Sequence, residues 1–132
     1  MIFVDTSAIA AISFIKDEFH SRAELWFSEN QKENFIVTNL VVMEILNWVR
    51  YKGGRKIAVE VGEKLYLGDD IDIVKVTSED EKNAWSVFKK LDGRGVSMVD
   101  CTSFVVMKRL KIKKVFAFDS DFAKAGFTVL PG

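Results

Sequence analysis

The sequence predicts an α/β domain: a mostly parallel central sheet of about four to five strands, covered by helices on both faces. Three observations carry that expectation. Short apolar runs of strand length recur along the chain, at Met1–Val4, Phe35–Thr38, Ile71–Val76, Lys114–Phe118 and Phe127–Leu130. Segments of helical character separate each run from the next, which is the alternation that builds a parallel sheet. The chain has 132 residues, 48% of them hydrophobic and 29% charged, so it can bury a core and does not have the composition of a disordered segment.

Each element has a local reason. Met1–Val4 is apolar and ends at Asp5, and it reads as a buried strand. Thr6 or Ser7 can cap the helix expected at Ala8–Ile15. A second helix is expected over Glu18–Glu29, with Phe19, Ala23, Trp26 and Phe27 on one side, and Asn30 and Asn34 flank the break after it. After the strand Phe35–Thr38, Asn39 is placed to cap a helix at Leu40–Tyr51, which Gly53 and Gly54 end. Arg55–Leu67 is a further helix with Ile57, Val61 and Leu65 in register. Beyond Ile71–Val76, Ser78 and Glu81 have capping-box spacing for a helix to about Leu91, with Ala84, Phe88 and Leu91 on its inner face. Asp92–Gly95 is a loop, Val99–Leu110 a helix, and Phe122–Ala125 a helical turn closed by Gly126. No repeat, low-complexity segment or linker interrupts the chain, and residues 1–132 read as one domain.

Composition excludes some classes of function. The longest uninterrupted apolar run is Ala8–Ile12, far short of the roughly 20 residues that cross a bilayer. No basic segment precedes an apolar one at the N-terminus, so neither a signal peptide nor a membrane partner is expected. The single cysteine, Cys101, fits a reducing cytoplasm. Nineteen basic residues balance nineteen acidic ones, so net charge gives no argument for a polyanionic partner. Basic residues do cluster at Arg50–Lys56, Lys89–Arg94 and Lys108–Lys114. Such clusters form a basic rim or an ordinary solvated face. His20, the only histidine, lies in a charged stretch and reads as a surface residue. Cys101 and Trp26, Trp48 and Trp85 read as core or interface residues.

The acids are more informative. Asp5 and Asp119 each close an apolar strand, and ligand sites of open α/β sheets lie beyond the carboxyl ends of the strands. An Asp after a strand is also a common turn residue and cap. Glu44 interrupts a helix that is apolar on nearly all sides, with Asn47 three residues on. It is either part of a site or, with Asn47 and Tyr51, a solvent-facing stripe. Asp100 opens an apolar helix behind Ser97, where the helix dipole alone could account for it. Asp121 could be a plain helix cap. Taken together, these oxygen donors without a His or Cys cluster suit magnesium, with manganese as the alternative, and not zinc. A bound divalent cation would reverse the repulsion among the acids and toward a phosphate.

With these residues in view, the chain resembles the PIN-domain ribonucleases, and among them the VapC-type toxins of toxin–antitoxin systems. The resemblance runs through "IFVDTSAIAA", "VTNLVVMEILNWV", "VSMVDCTSFVVMKRL" and "VFAFDSDFAKAGFTVLPG", in order and at matching spacing. It implies a PIN-like three-layer α/β/α sandwich and metal-dependent endonucleolytic cleavage of RNA by metal-activated water. It also implies Asp5 and Asp100 as direct metal ligands, Glu44 and Asp119 as ligands directly or through water, and Asp121 as a further catalytic candidate. Thr6, Asn47, Ser97 and Ser103 are the candidate polar neighbours. The family often carries a hydroxyl residue two positions before the acid at Asp119, where this chain has Ala117. That departure bears on one supporting hydrogen bond and leaves the acids untouched. The resemblance further implies a cognate antitoxin and a homodimer. Ala8–Ile15 and Leu40–Val49 are the candidate partner surfaces, being more apolar than one small core needs.

Other readings fit less well. Asp119-Ser120-Asp121 resembles the nucleophile motif of haloacid-dehalogenase-like phosphatases, but that fold needs far more chain downstream. A receiver-type signalling domain would want adjacent acids after the first strand and a lysine after the last. A catalytically silent PIN-like module that binds RNA or protein would be marked by a missing acid, and none of the four core acids is missing.

Overall fold

Five strands form one sheet: β1 (Ile2–Val4), β2 (Phe35–Thr38), β3 (Ile71–Val74), β4 (Lys114–Phe116) and β5 (Thr128–Leu130). The structure, a computed structural model, describes all 132 residues. The strand order is β3-β2-β1-β4-β5, and every adjacent pair is parallel. Parallel neighbours need crossover connections, and helices supply each one. They are α1 (Thr6–Ser13) and α2 (His20–Glu29), α3 (Asn39–Gly53) and α4 (Arg55–Leu67), α5 (Ser78–Lys90) and α6 (Met98–Arg109), and the short α7 (Ser120–Lys124). The chain builds outward from β1 to β3, then returns to lay β4 on the other side of β1. The strand order therefore reverses between β1 and β4, where doubly wound sheets hold their ligands.

Side chains alternate across a sheet, so a strand with every residue buried is covered on both faces. All residues of β1 and β2 are buried. Phe3 lies against Phe122, which packs edge-on to Phe104 at 5.0 Å between ring centres. Phe116 lies against Trp26 at 4.6 Å and against Phe27. Val4 pairs in register with Phe116 and Phe3 with Val115, so the two aromatic clusters occupy opposite faces. One holds α6 and α7 to the sheet and the other holds α2.

Several boundaries fall differently from the sequence reading, for a common reason. An N-cap needs extended backbone and a side chain that turns back to the first helical N–H groups, and the last extended residue of a strand already has that backbone. Asp5, not Thr6 or Ser7, caps α1. Thr38, not Asn39, caps α3, and Asn39 Oδ1 instead accepts from Val76 N at 2.8 Å. Thr77 and Asp80, not Ser78 and Glu81, form the capping box of α5, while α2 opens at His20, two residues late. Phe88 and Leu91 are partly exposed and do not line an inner face, and Trp85 stacks on Phe88 in the open.

The expected surplus of apolar surface is also smaller than composition implied. Ala8, Ile9, Ala10 and Ala11 are buried in the core, as are Val41, Val42, Ile45 and Val49. Of those two segments, Ile15 and Met43 are left exposed.

One ion pair went unforeseen. Asp80 is 2% exposed and accepts two hydrogen bonds from Arg109, each of 2.8 Å, pinning α5 to the last turn of α6. Arg109 and the N–H groups of the capping box hold the Asp80 carboxyl below the usual carboxylate range. Asp80→Ala is expected to cost about 2 kcal/mol, between the exposed and buried extremes because Arg109 remains half in water. A carboxylate lowered in this way stabilises the fold above its unfolded value and loses that contribution as pH falls through the folded one. In urea titrations the gap between variant and wild type should therefore close below about pH 4.

Candidate active site

The ends of β1 and β4 are level, and the chain leaving each carries an acid. Asp5 is the cap of α1: its Oδ2 accepts from Ser7 N at 3.1 Å and from Ser7 Oγ at 2.7 Å. Ser7 Oγ in turn accepts from Phe118 N at 2.9 Å. One hydroxyl thus locks the Asp5 carboxylate and ties the end of β1 to the chain leaving β4. Sequence reading offered Ser7 only as a helix cap. The available signal was its spacing, a hydroxyl two residues after a strand-ending acid, which is the geometry of a local Asx turn.

Asp119 caps α7, its Oδ1 accepting from Asp121 N at 2.9 Å. Asp121 is therefore not that helix's cap. Asp100 sits in the first turn of α6, in a reciprocal capping box with Ser97. Asp100 Oδ2 accepts from Ser97 N, and Ser97 Oγ accepts from Asp100 N, both at 3.0 Å. Carboxylate oxygens of Asp100, Asp119 and Asp121 all come within 4.8 Å of one another. Glu44 approaches from α3, where Thr6 Oγ1 donates to its Oε1 at 2.5 Å.

The electrostatics agree with the geometry. Burial pushes the Asp5 carboxyl up to about 7 against the opposing bonds from Ser7, and the charges of Asp100 and Asp119 add to the rise. Burial likewise lifts Asp100 to about 6, with Asp119 and Glu44 contributing. Asp121 is raised by burial and then by Asp119. Five acids from four separate parts of the sequence therefore act on one another as charges, and none of them is in an ion pair. An all-oxygen donor set whose members repel each other, with only Lys124 acting against the rise at Asp121 and no ion pair to any of them, fits a hard divalent cation.

The polar neighbours divide. Thr6 and Ser97 hold acids directly. Ser103 is buried and gives its hydroxyl to Val99 O, within its own helix, because a serine inside a helix readily bonds the carbonyl one turn back. Asn47 is exposed, makes no hydrogen bond to an acid, and lines a groove between α3 and α4 with Arg50 and Tyr66. The stripe reading of Glu44, Asn47 and Tyr51 thus holds for the last two and not for Glu44. Ala117 is buried, and the N–H next to it, that of Phe118, donates its hydrogen bond to Ser7 Oγ.

Comparison with known proteins supplies an independent view. A model of the PIN domain family matches residues 2–128. The 23S rRNA-specific endonuclease VapC20 of Mycobacterium tuberculosis is 37% identical over 129 residues, which cover 96% of this chain and 95% of that protein. The crystal structure of VapC20, described as a sarcin–ricin loop cleaving toxin, superposes with a TM-score of 0.88 and 34% identity over 97% of each chain. FitAcB from Neisseria gonorrhoeae superposes with a TM-score of 0.66 over 98% of this chain and 96% of its own. At 19% identity that second likeness speaks for the fold alone.

Proposed function

The chain belongs to the PIN domain family, and from that premise we propose that it is an endoribonuclease, the toxin of a toxin–antitoxin pair. The observation that carries the reading is the convergence of Asp100, Asp119 and Asp121 within 4.8 Å, with Asp5 and Glu44 close enough to act on them as charges. Asp5 and Asp100 are proposed to hold magnesium, or alternatively manganese, directly. Glu44 and Asp119 hold it directly or through water, and Asp121 completes the acidic wall. Such a cation, when bound, polarises a phosphodiester and lowers the pKa of water. The chain's own contribution is orientation. Thr6 fixes Glu44, Ser97 fixes Asp100, and Ser7 fixes Asp5 while holding the two strand ends together.

The relative's activity suggests the substrate, a structured RNA hairpin of the sarcin–ricin type. No helix is long and apolar enough to cross a membrane, and we place the protein in the cytoplasm with its RNA. The exposed Trp85, Phe88 and Leu91 on and beside α5 support a homodimer. The likeness to VapC-type toxins supports a cognate antitoxin.

The test is cleavage of a sarcin–ricin loop hairpin and an unrelated hairpin with magnesium, with manganese and in EDTA. A discrete cut with either ion and none in EDTA is expected. Undiminished cutting in EDTA would overturn the metal, and no cutting of either RNA with either ion would overturn the nuclease. Ser7→Ala is expected to lower the cleavage rate by about 10–100-fold, the usual cost of losing a partner that orients a ligand. It should also destabilise the fold by about 1–3 kcal/mol, because Phe118 N is left without its acceptor. Single-turnover rates and denaturant melts check the two effects separately.

A further inference from the structure

The loop between α5 and α6 crosses the rim of the acidic cluster. A Cβ built on Gly95 would stand 3.8 Å from Asp121 Oδ2, so this loop's backbone runs beside the site. Arg94 is the preceding residue. Consecutive Cα atoms lie about 3.8 Å apart, and an arginine side chain is longer than that step, so its guanidinium can reach a group bound between the acids. Arg94 is exposed and makes neither an ion pair nor a side-chain hydrogen bond, so its guanidinium is free to take up a phosphate. Lys89 and Lys90 add two further basic residues on the last turn of α5, just before this loop.

A strand of RNA entering this site meets an acid-lined wall. A cation in the centre answers for the phosphate being cut, but the neighbouring phosphates need countercharge at the rim. Arginine is the side chain best suited to grip a phosphate with a two-pronged donor set.

We propose that Arg94 is a positioning residue that holds a phosphate of the RNA next to the scissile one and so sets the strand over the acids. This inference rests on the nuclease reading and adds to it the residue that engages the flanking backbone. Because it contacts phosphate and not a base edge, it should act on every RNA sequence alike.

The experiment compares wild type, Arg94→Ala and Arg94→Lys on the same hairpin at several salt concentrations, alongside anisotropy with labelled RNA and a manganese-induced shift in melting temperature. Arg94→Ala is expected to raise KM about tenfold with kcat nearly unchanged, as befits one charge-assisted contact. The slope of log KM against log salt should fall by about 0.7–0.9. Lysine should recover part of the loss, and the manganese shift should match wild type. An unchanged KM and salt slope in a wild type that cuts RNA would overturn the proposal alone. A lowered manganese shift would overturn it too, by making the loop a support of the metal site. If wild type binds RNA without cutting it, the nuclease reading falls and the positioning role falls with it, an outcome distinct from unchanged cutting by Arg94→Ala, which overturns the positioning role alone. If wild type neither cuts nor binds, both fall.

Discussion

Asp5→Asn should abolish nearly all cleavage, by about three orders of magnitude or more, while leaving the metal-free protein at least as stable as wild type. The first half follows from the removal of one negative ligand at the point where charge is stabilised during phosphodiester cleavage. The second follows from where Asp5 sits. It is 3% exposed and faces the charges of Asp100 and Asp119, and its carboxyl is pushed up to about 7. Asparagine fills nearly the same volume, and its carbonyl can still accept from Ser7 N and Oγ, so the cap of α1 survives. What disappears is a buried charge, and the gain at pH 8 is bounded by about 4 kcal/mol, the equivalent of the displacement from 3.8 to 7. Saturating magnesium should narrow or reverse the order, because it stabilises only the folded protein with an intact site. Thermal melts in EDTA and in magnesium test both halves. A variant melting far below wild type in EDTA would make Asp5 a structural cap and nothing more.

The same burial, with the neighbouring acids adding to it, predicts an unusual dependence of wild-type stability on pH. Asp5 and Asp100 stand at about 7 and about 6 in the folded protein, against 3.8 when unfolded. Between pH 4 and pH 7 the folded state therefore binds more protons than the unfolded one, and stability falls as pH rises through that window. The destabilisation is absent below the unfolded value and complete above the folded ones. Metal-free protein should be less stable at pH 8 than at pH 5, by a few kcal/mol. Because a cation binds the deprotonated acids, magnesium or manganese should raise the melting temperature more at pH 8 than at pH 5. A flat profile in EDTA would mean that Asp5 and Asp100 are not buried beside the other acids in solution.

Much of this was legible in the sequence because two signals were redundant. The five strands announced themselves by apolar runs, and the crossovers by the helical character between them. A parallel sheet was then the simplest closure. The acids were legible for a different reason. Asp5 and Asp119 lie where strands stop, and Glu44 stands alone in a helix with little else polar on it. What stayed hidden was local register. Each misplaced cap was misplaced by one or two residues, since composition cannot say which of several neighbouring polar residues still has extended backbone. Ser7 and Ser103 show the same limit from the other side. Both are small hydroxyl residues near an acid, but one bonds the acid and the other its own helix. The pairing of Asp80 with Arg109 joins two helices whose contact no periodicity reveals.

The order of the strands also bears on when this protein becomes competent. β1 lies in the middle of the sheet, and its neighbour β4 is made only after β2 and β3. Until β4 has paired, Ser7 has no Phe118 N–H to accept from, and Asp119 and Asp121 are not yet in place. Contacts of such long sequence separation close late in folding. A partly translated chain on the ribosome therefore has no competent centre, however well its first half has folded. Competence therefore arrives only when β4 has joined β1, well after the first half of the fold can form.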